Sequence, residues 1–179
     1  MTVADYITHF LSTKVFHIFS FAGGGNMYLM DALHKDCKGI FLHHEGALSY
    51  AVCGYAYLHG FGAGYVTSGP GSLNAVPGVA EAYVASLPCM FVSGQAPLDT
   101  CLFEDRILGV QQVDIVSIVR SITKYAVVVT NTQSVKFHLE EAYRMATTGR
   151  PGPVWLDVPL DIQRAEMWED DEIRGGENI

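Results

Sequence analysis

A chain of 179 residues is the length of one domain and long enough to close a core. Apolar residues make up 49% and charged ones 17%, which excludes intrinsic disorder and leaves an apolar surplus that hints at a covered partner surface. The net charge of −8, with no basic patch, argues against nucleic acid or an anionic membrane as a partner, and no run of about 18 apolar residues is present to span a bilayer.

The elements alternate along the chain. Val3 to Leu11 reads as a short helix and Val15 to Phe19 as a strand of β-branched and aromatic residues. FAGGG (Phe21 to Gly25) breaks the chain before a helix from about Asn26 to His34. A second strand, Gly39 to Leu42, leads into a helix from His44 to His59, whose Ala47, Leu48, Ala51, Val52, Tyr55 and Ala56 are spaced as one buried face. GFGAG (Gly60 to Gly64) reads as a plain helix-to-strand loop, and Ala63 to Thr67 as the third strand. TSGPG is the next break. The helix after it runs to about Ser86, with Leu73, Val76, Val79, Ala80, Tyr83 and Val84 expected inward. Cys89 to Ser93 is a fourth strand.

From Gln95 to Gln112 no clean period appears, and a loop of that length is more often functional than accidental. A short helix near Asp114 to Val119 follows, then a strand from Tyr125 to Thr130. Asn131 or Thr132 caps a helix reaching Thr147, with Val135, Leu139, Ala142, Tyr143 and Ala146 inward. GRPGP (Gly149 to Pro153) stops that helix and enters the last strand, Val154 to Val158. The stretch from Asp161 onward lacks a period, and residues 163–179 read as an acidic linker or tail after a domain of residues 1–162.

Repeated strand–helix–strand order implies a three-layer, doubly wound α/β domain: a parallel sheet of about six strands with helices on both faces. Ligands bind such sheets beyond the carboxyl ends of the strands, which nominates the loops FAGGG, HHEG, TSGPG and GQAP. Glu45 stands at the start of a helix there. Its plainer role is to complement the helix dipole; its functional role is a partly buried carboxyl group able to hold a proton. TSGPGSLN (Thr67 to Asn74) is either a tight strand–helix turn or a place where backbone approaches a ligand. It is neither a P-loop nor a dinucleotide fingerprint, which leaves a nucleotide-binding reading with little support. Three glycines in FAGGG exceed what a turn needs and favour close ligand approach. The seven histidines and four cysteines (Cys37, Cys53, Cys89, Cys101) form no C-x-x-C, no H-E-x-x-H and no metal-binding cluster, so no metal site is expected within the chain. Cys53 and Cys89 read as core residues of a reduced, cytoplasmic protein, and the N-terminus MTVADYITHFL lacks the pattern of a signal peptide.

Taken in order, the runs FSFAGGGNMYLMDAL, FLHHEGALSYAVCGYA, YVTSGPGSLNAVPGVAEAYVASLPCMFVSGQ, VDIVSIVRSITKYA and ATTGRPGPVWLDVPLDI resemble the pyrimidine-binding (PYR) domain of thiamine-diphosphate enzymes of the acetolactate synthase type. The resemblance covers nearly everything from Val15 to Ile162. It implies that Glu45 is the catalytic glutamate, which hydrogen-bonds a ring nitrogen of the aminopyrimidine and drives ylid formation by proton relay. It places Phe21, Ala22, Gly23, Thr67, Pro70 and Asn74 at the cofactor and Gly24 and Gln111 at the substrate, a 2-keto acid; Lys124, in the ITK run, is structural.

The chain departs from that pattern at three places. Phe21-Ala22-Gly23-Gly24 replaces Tyr-Pro-Gly-Gly, His43-His44-Glu45-Gly46 replaces Arg-His-Glu-Gln, and Val110-Gln111-Gln112 replaces Phe-Gln-Glu. Substrate-facing positions have therefore changed while Glu45 is kept, which leaves carboligase and decarboxylase chemistry both open. The family holds the cofactor diphosphate through Mg²⁺ on a separate diphosphate-binding domain marked by Gly-Asp-Gly, a sequence absent here. The resemblance thus implies an incomplete active site, inactive alone, completed by a diphosphate-binding domain of the same or a partner chain, with homodimers expected. An excised domain, a subunit of a split enzyme and a non-catalytic or regulatory PYR-like domain are the alternatives.

Overall fold

The computed structural model describes residues 1–36, 38–101 and 107–167. The expectation for Cys37 and for the outer part of the acidic tail lies outside them. A six-stranded, all-parallel sheet forms the centre, in the order β2-β1-β3-β4-β6-β5. Its strands are β1 (His17–Ser20), β2 (Lys38–Phe41), β3 (Gly62–Val66), β4 (Cys89–Gln95), β5 (Tyr125–Val128) and β6 (Val154–Pro159). Helices α1 (Val3–Ser12), α2 (Met27–Asp36), α3 (Glu45–His59), α4 (Pro70–Val84), α5 (Leu98–Cys101), α6 (Ile115–Val119), α7 (Val135–Thr147) and α8 (Leu160–Arg164) complete the order.

Two apolar clusters lie on opposite faces of the sheet. One joins α1, α2 and α7 through Ile7, Leu11, Leu29, Leu33 and Leu139. The other joins α3, α4 and α6 through Leu48, Val52, Val79 and Val119. The expected three-layer α/β class is therefore the one observed. β3, β4 and β6 are buried along their whole length, as parallel strands covered on both sides must be. α1 begins with a capping box: Thr2 Oγ1 accepts from the Asp5 amide and the Asp5 carboxylate accepts from the Thr2 amide.

Apolarity misread the packing of α3 and α4. The buried face of α3 is Glu45, Leu48, Ser49, Val52, Cys53 and Ala56, while Ala47 is exposed. α4 buries Gly71, Ser72, Ala75, Gly78, Val79 and Ala82, and leaves Leu73 (39% exposed), Tyr83 (40%) and Val84 (73%) outside. The reason is close helix approach. A β-carbon on Gly78 would stand 2.2 Å from Ser49 Oγ, and the Cys53 thiol donates to the Gly78 carbonyl at 3.2 Å. Small residues had to face inward, and larger apolar ones were left facing out.

The GFGAG run also differs from expectation. Only Gly60 serves a turn, in the left-handed conformation at the end of α3. Gly62 and Gly64 lie within β3, where a β-carbon would come 2.5 Å from the Val52 carbonyl oxygen and 2.8 Å from its Cγ2. The packed unit continues past the expected boundary at Ile162. Gln163 is buried and donates to the carbonyls of Gly25 and Val158, and Glu166 bridges back to Thr2.

Candidate functional site

The chain leaves β1 outward to β2 and leaves β3 in the opposite direction to β4, so β1 and β3 flank the point where the strand order reverses. The helices that follow β1 and β3, α2 and α4, cover opposite faces of the sheet. The loops after β1 and β3 therefore lead to opposite faces, the place where sheets of this kind form a crevice beyond the carboxyl ends of their strands. At its base the two loops touch. A β-carbon on Gly23 would stand 2.5 Å from Thr67 Oγ1, and the Gly25 amide donates to that oxygen at 3.0 Å. Gly25 also abuts Ser68, and its carbonyl oxygen lies against Gly94 at the end of β4. Asn26 fixes the β1 loop from within: its Nδ2 donates to the Phe21 carbonyl and its Oδ1 accepts from the Gly23 amide. Phe21 is half-buried against the α3/α4 cluster, whereas Ala22 and Gly24 are exposed.

Glu45 is the first residue of α3. His44 precedes it as the cap, its Nδ1 accepting from the Gly46 amide at 3.0 Å. The Glu45 side chain is drawn inward, leaving the residue 6% exposed. Asn74 Nδ2, one turn into α4, donates to Glu45 Oε2 at 3.1 Å. Glu45 Oε1 lies over Gly71, 3.0 Å from where a β-carbon would stand, and that same position is 2.5 Å from Thr67 Cγ2. The carboxyl group thus sits at the N-termini of two helices, α3 and α4. Pro70 opens α4 and is exposed, and Gly69 before it has φ +57°.

Gln111 closes the far side. It takes φ +58°, and its carbonyl oxygen occupies the space a β-carbon on Gly69 would need, 2.1 Å away. Glu45, Thr67 and Asn74 are therefore brought together directly, Gly23 joins them through Thr67, and Gln111 joins through the Gly69–Pro70 turn. Phe21, Ala22 and Gly24 follow on the β1 loop. Gly23 and Gly25 are required by the protein's own packing, so the glycine count of FAGGG is not in itself a ligand signal; only Gly24 meets nothing within 4 Å.

Beside this cleft lies a polar network that the sequence reading missed. Asp157, in β6, is fully buried. Its Oδ1 accepts from Ser93 Oγ at 2.5 Å and its Oδ2 from Gln95 Nε2 at 2.9 Å. The Trp155 indole donates to Ser93 Oγ at 2.8 Å. Burial pushes the Asp157 carboxyl up to about 7; the two hydrogen bonds oppose the shift and the charge of Asp114 adds to it. The available signal was a single acidic residue inside the otherwise apolar run VWLDVP. Among the described residues no group of three His, Cys, Asp or Glu side chains is arranged to hold a metal, and no helix is long and apolar enough to cross a membrane.

This is a parallel α/β domain with a sheltered carboxyl group among glycine turns at the switch point of its sheet. Residues 1–118 match the family described as thiamine pyrophosphate enzyme, N-terminal TPP binding domain, and the chain belongs to that family. It is 39% identical over 156 residues to the acetolactate synthase large subunit of Lactococcus lactis, an alignment covering 85% of this chain and 26% of that protein. It is 35% identical over 159 residues to the large subunit from Buchnera aphidicola, covering 87% and 27%. With the chloroplastic acetolactate synthase of Arabidopsis thaliana the identity is 37% over 153 residues, covering 82% and 22%. The chain spans about a quarter of the length of these relatives.

Proposed function

We propose that the chain is the pyrimidine-binding half of a thiamine-diphosphate-dependent 2-keto acid carboligase or decarboxylase, with Glu45 activating the cofactor. The observation that carries this reading is the Glu45 carboxyl group, withdrawn from solvent and held by Asn74 over the bare backbone of Gly71. That donor set fits an aminopyrimidine, a flat ring whose nitrogens exchange protons with a carboxyl group.

Glu45 carries or releases the proton at Oε1, because Oε2 is engaged as the acceptor of the Asn74 amide. Phe21, Ala22, Gly23, Thr67, Pro70 and Asn74 hold the pyrimidine, and Gly24 and Gln111 face the keto acid. When bound, thiamine diphosphate supplies the nucleophilic carbon and the electron sink. Mg²⁺ and the diphosphate belong to a second domain, of the same or a partner chain. Exposed apolar side chains on α3 and α4, including Tyr50, Tyr57, Leu58, Leu73 and Val84, support pairing of two such domains.

The test is Glu45→Gln in the enzyme assembled with a diphosphate-binding domain. Turnover of 2-keto acid falls about a hundredfold or more while melting temperature and circular dichroism hold. Turnover within twofold of the parent removes Glu45 from the mechanism. A non-catalytic PYR-like domain is the second reading, and one observation favours it. Gln112 turns into its own loop, with Oε1 accepting from the Gly109 amide and Nε2 donating to the Cys101 carbonyl, while Val110 is 85% exposed. A parent enzyme that neither binds thiamine diphosphate nor consumes keto acid selects that reading.

A further inference from the structure

The proposed site contacts of Gln111 come from a loop, and loops are placed by what ties them down. Gln111 carries a positive φ with a side chain, and its carbonyl lies on Gly69. Nothing in that contact alone fixes it there, because a carbonyl against a glycine is packing, not a tether. The tether is two residues on. Gln95 Nε2 donates to the Val113 carbonyl at 2.8 Å and also to Asp157 Oδ2 at 2.9 Å. Gln95 Oε1 accepts from the Ala96 amide at 3.0 Å, so all the hydrogen-bonding atoms of this side chain are engaged and its rotamer is fixed. Asp157 is fixed in turn by Ser93 Oγ, and Ser93 by the Trp155 indole. β4 and β6 are central strands paired from Met90↔Val154 to Gln95↔Pro159, so this chain of bonds ends on the most rigid part of the sheet.

We propose that Gln95, braced by Asp157, is a positioning residue that holds Gln111 against the Gly69–Pro70 turn and so sets the substrate side of the cleft. The proposal deepens the reading of Gln111 as a substrate-facing residue. Its structural half stands without that reading. Replacing Gln95 with an apolar side chain removes the donor from both Val113 and Asp157 and loosens residues 109–113 from β4, while the Gln112 bonds to Gly109 and Cys101 remain. β1, β3 and the Glu45–Asn74 contact are untouched, because none of them bonds to Gln95.

Amide hydrogen exchange by NMR on the full 179-residue chain tests the structural half. In Gln95→Met, which conserves volume, exchange at the hydrogen-bonded Gly109 and Gln112 amides accelerates about tenfold or more, while the amides of β3 and α3 keep their protection. Unchanged exchange at Gly109 and Gln112, or a uniform rise across the sheet, overturns the proposal. If Gln95→Met does not fold, Gln95→Leu, which likewise lacks a donor for Val113 and Asp157, is read in the same way. In the assembled enzyme, Gln95→Met raises KM for the keto acid about tenfold with kcat changed much less, and Gln111→Ala raises KM similarly. Faster exchange at Gly109 and Gln112 with KM unchanged in both variants leaves the tether standing and refutes the substrate-facing role of Gln111. A KM raised by Gln111→Ala but not by Gln95→Met overturns the positioning role instead.

Discussion

Replacing Asp157 with Asn makes stability depend on pH in a way that can be calculated in advance. The carboxyl group titrates at about 7 in the folded chain against an ordinary value of 3.8, because burial disfavours its charge. Below pH 3.8 both states hold the proton. As pH rises above that, the unfolded chain releases its proton while the folded one keeps it, so folding loses about 1.4 kcal/mol per pH unit. The loss ends near pH 7, where the folded group also ionises, and totals about 4 kcal/mol. Asn stands in for the neutral acid: its oxygen faces Gln95 Nε2 and its amide faces Ser93 Oγ, and neither titrates. Urea unfolding of both proteins at about pH 4.5, 6 and 8 isolates the effect, since every other titrating group is common to the two. Asp157→Asn gains on the parent by about 3 kcal/mol between pH 4.5 and 8, with most of the gain below pH 7. Parallel stability curves would refute the argument and show that the buried group stays ionised throughout.

Two glycines give contrasting expectations. Gly94→Ala drives a β-carbon to 1.7 Å from the Gly25 carbonyl oxygen, between two backbone segments that cannot both move, and lowers stability by about 3 kcal/mol in urea unfolding; a loss below about 1 kcal/mol means that the β1 loop yields easily. Gly24→Ala meets nothing within 4 Å and leaves stability within about 0.5 kcal/mol of the parent, yet lowers turnover of the assembled enzyme; unchanged turnover shows that no ligand needs that space bare.

Much of the fold was legible because alternation and period report burial. Six strands and the inward Val135, Leu139, Ala142 and Ala146 follow from pattern alone, whereas Asn131 caps the 3-10 turn Thr132–Ser134 that leads into α7 and not α7 itself. What failed in the packing of the helices did so for one physical reason. A hydropathy pattern assigns large apolar residues to the core, but α4 approaches α3 so closely that Gly78 must meet Ser49, and the large residues are displaced outward. The same blindness to close approach misplaced Gly62 and Gly64 in a loop. In the candidate site, Glu45 and Asn74 stand 29 residues apart in sequence, and motifs nominated each; their hydrogen bond is visible only in three dimensions. Gln95 and Asp157 were invisible as a pair because no local motif links residues 62 apart.

The glycines resolve into two kinds once their neighbours are known. Gly23, Gly25, Gly69, Gly71 and Gly94 are bare because the loops after β1, β3 and β4 lie on one another and on Gln111 and Glu45. A side chain at any of them would separate segments that the fold brings together, before any ligand enters. The glycine-rich character of the cleft therefore reflects how closely its walls are packed, which also makes the floor rigid. On the proposed reading, rigidity is what Glu45 needs, since an error of a fraction of an ångström at Oε1 would weaken the hydrogen bond through which a proton would move. The plain reading of these turns as structural and the functional reading of Glu45 are thus two descriptions of one device: tight packing of bare backbone holds an acid in place.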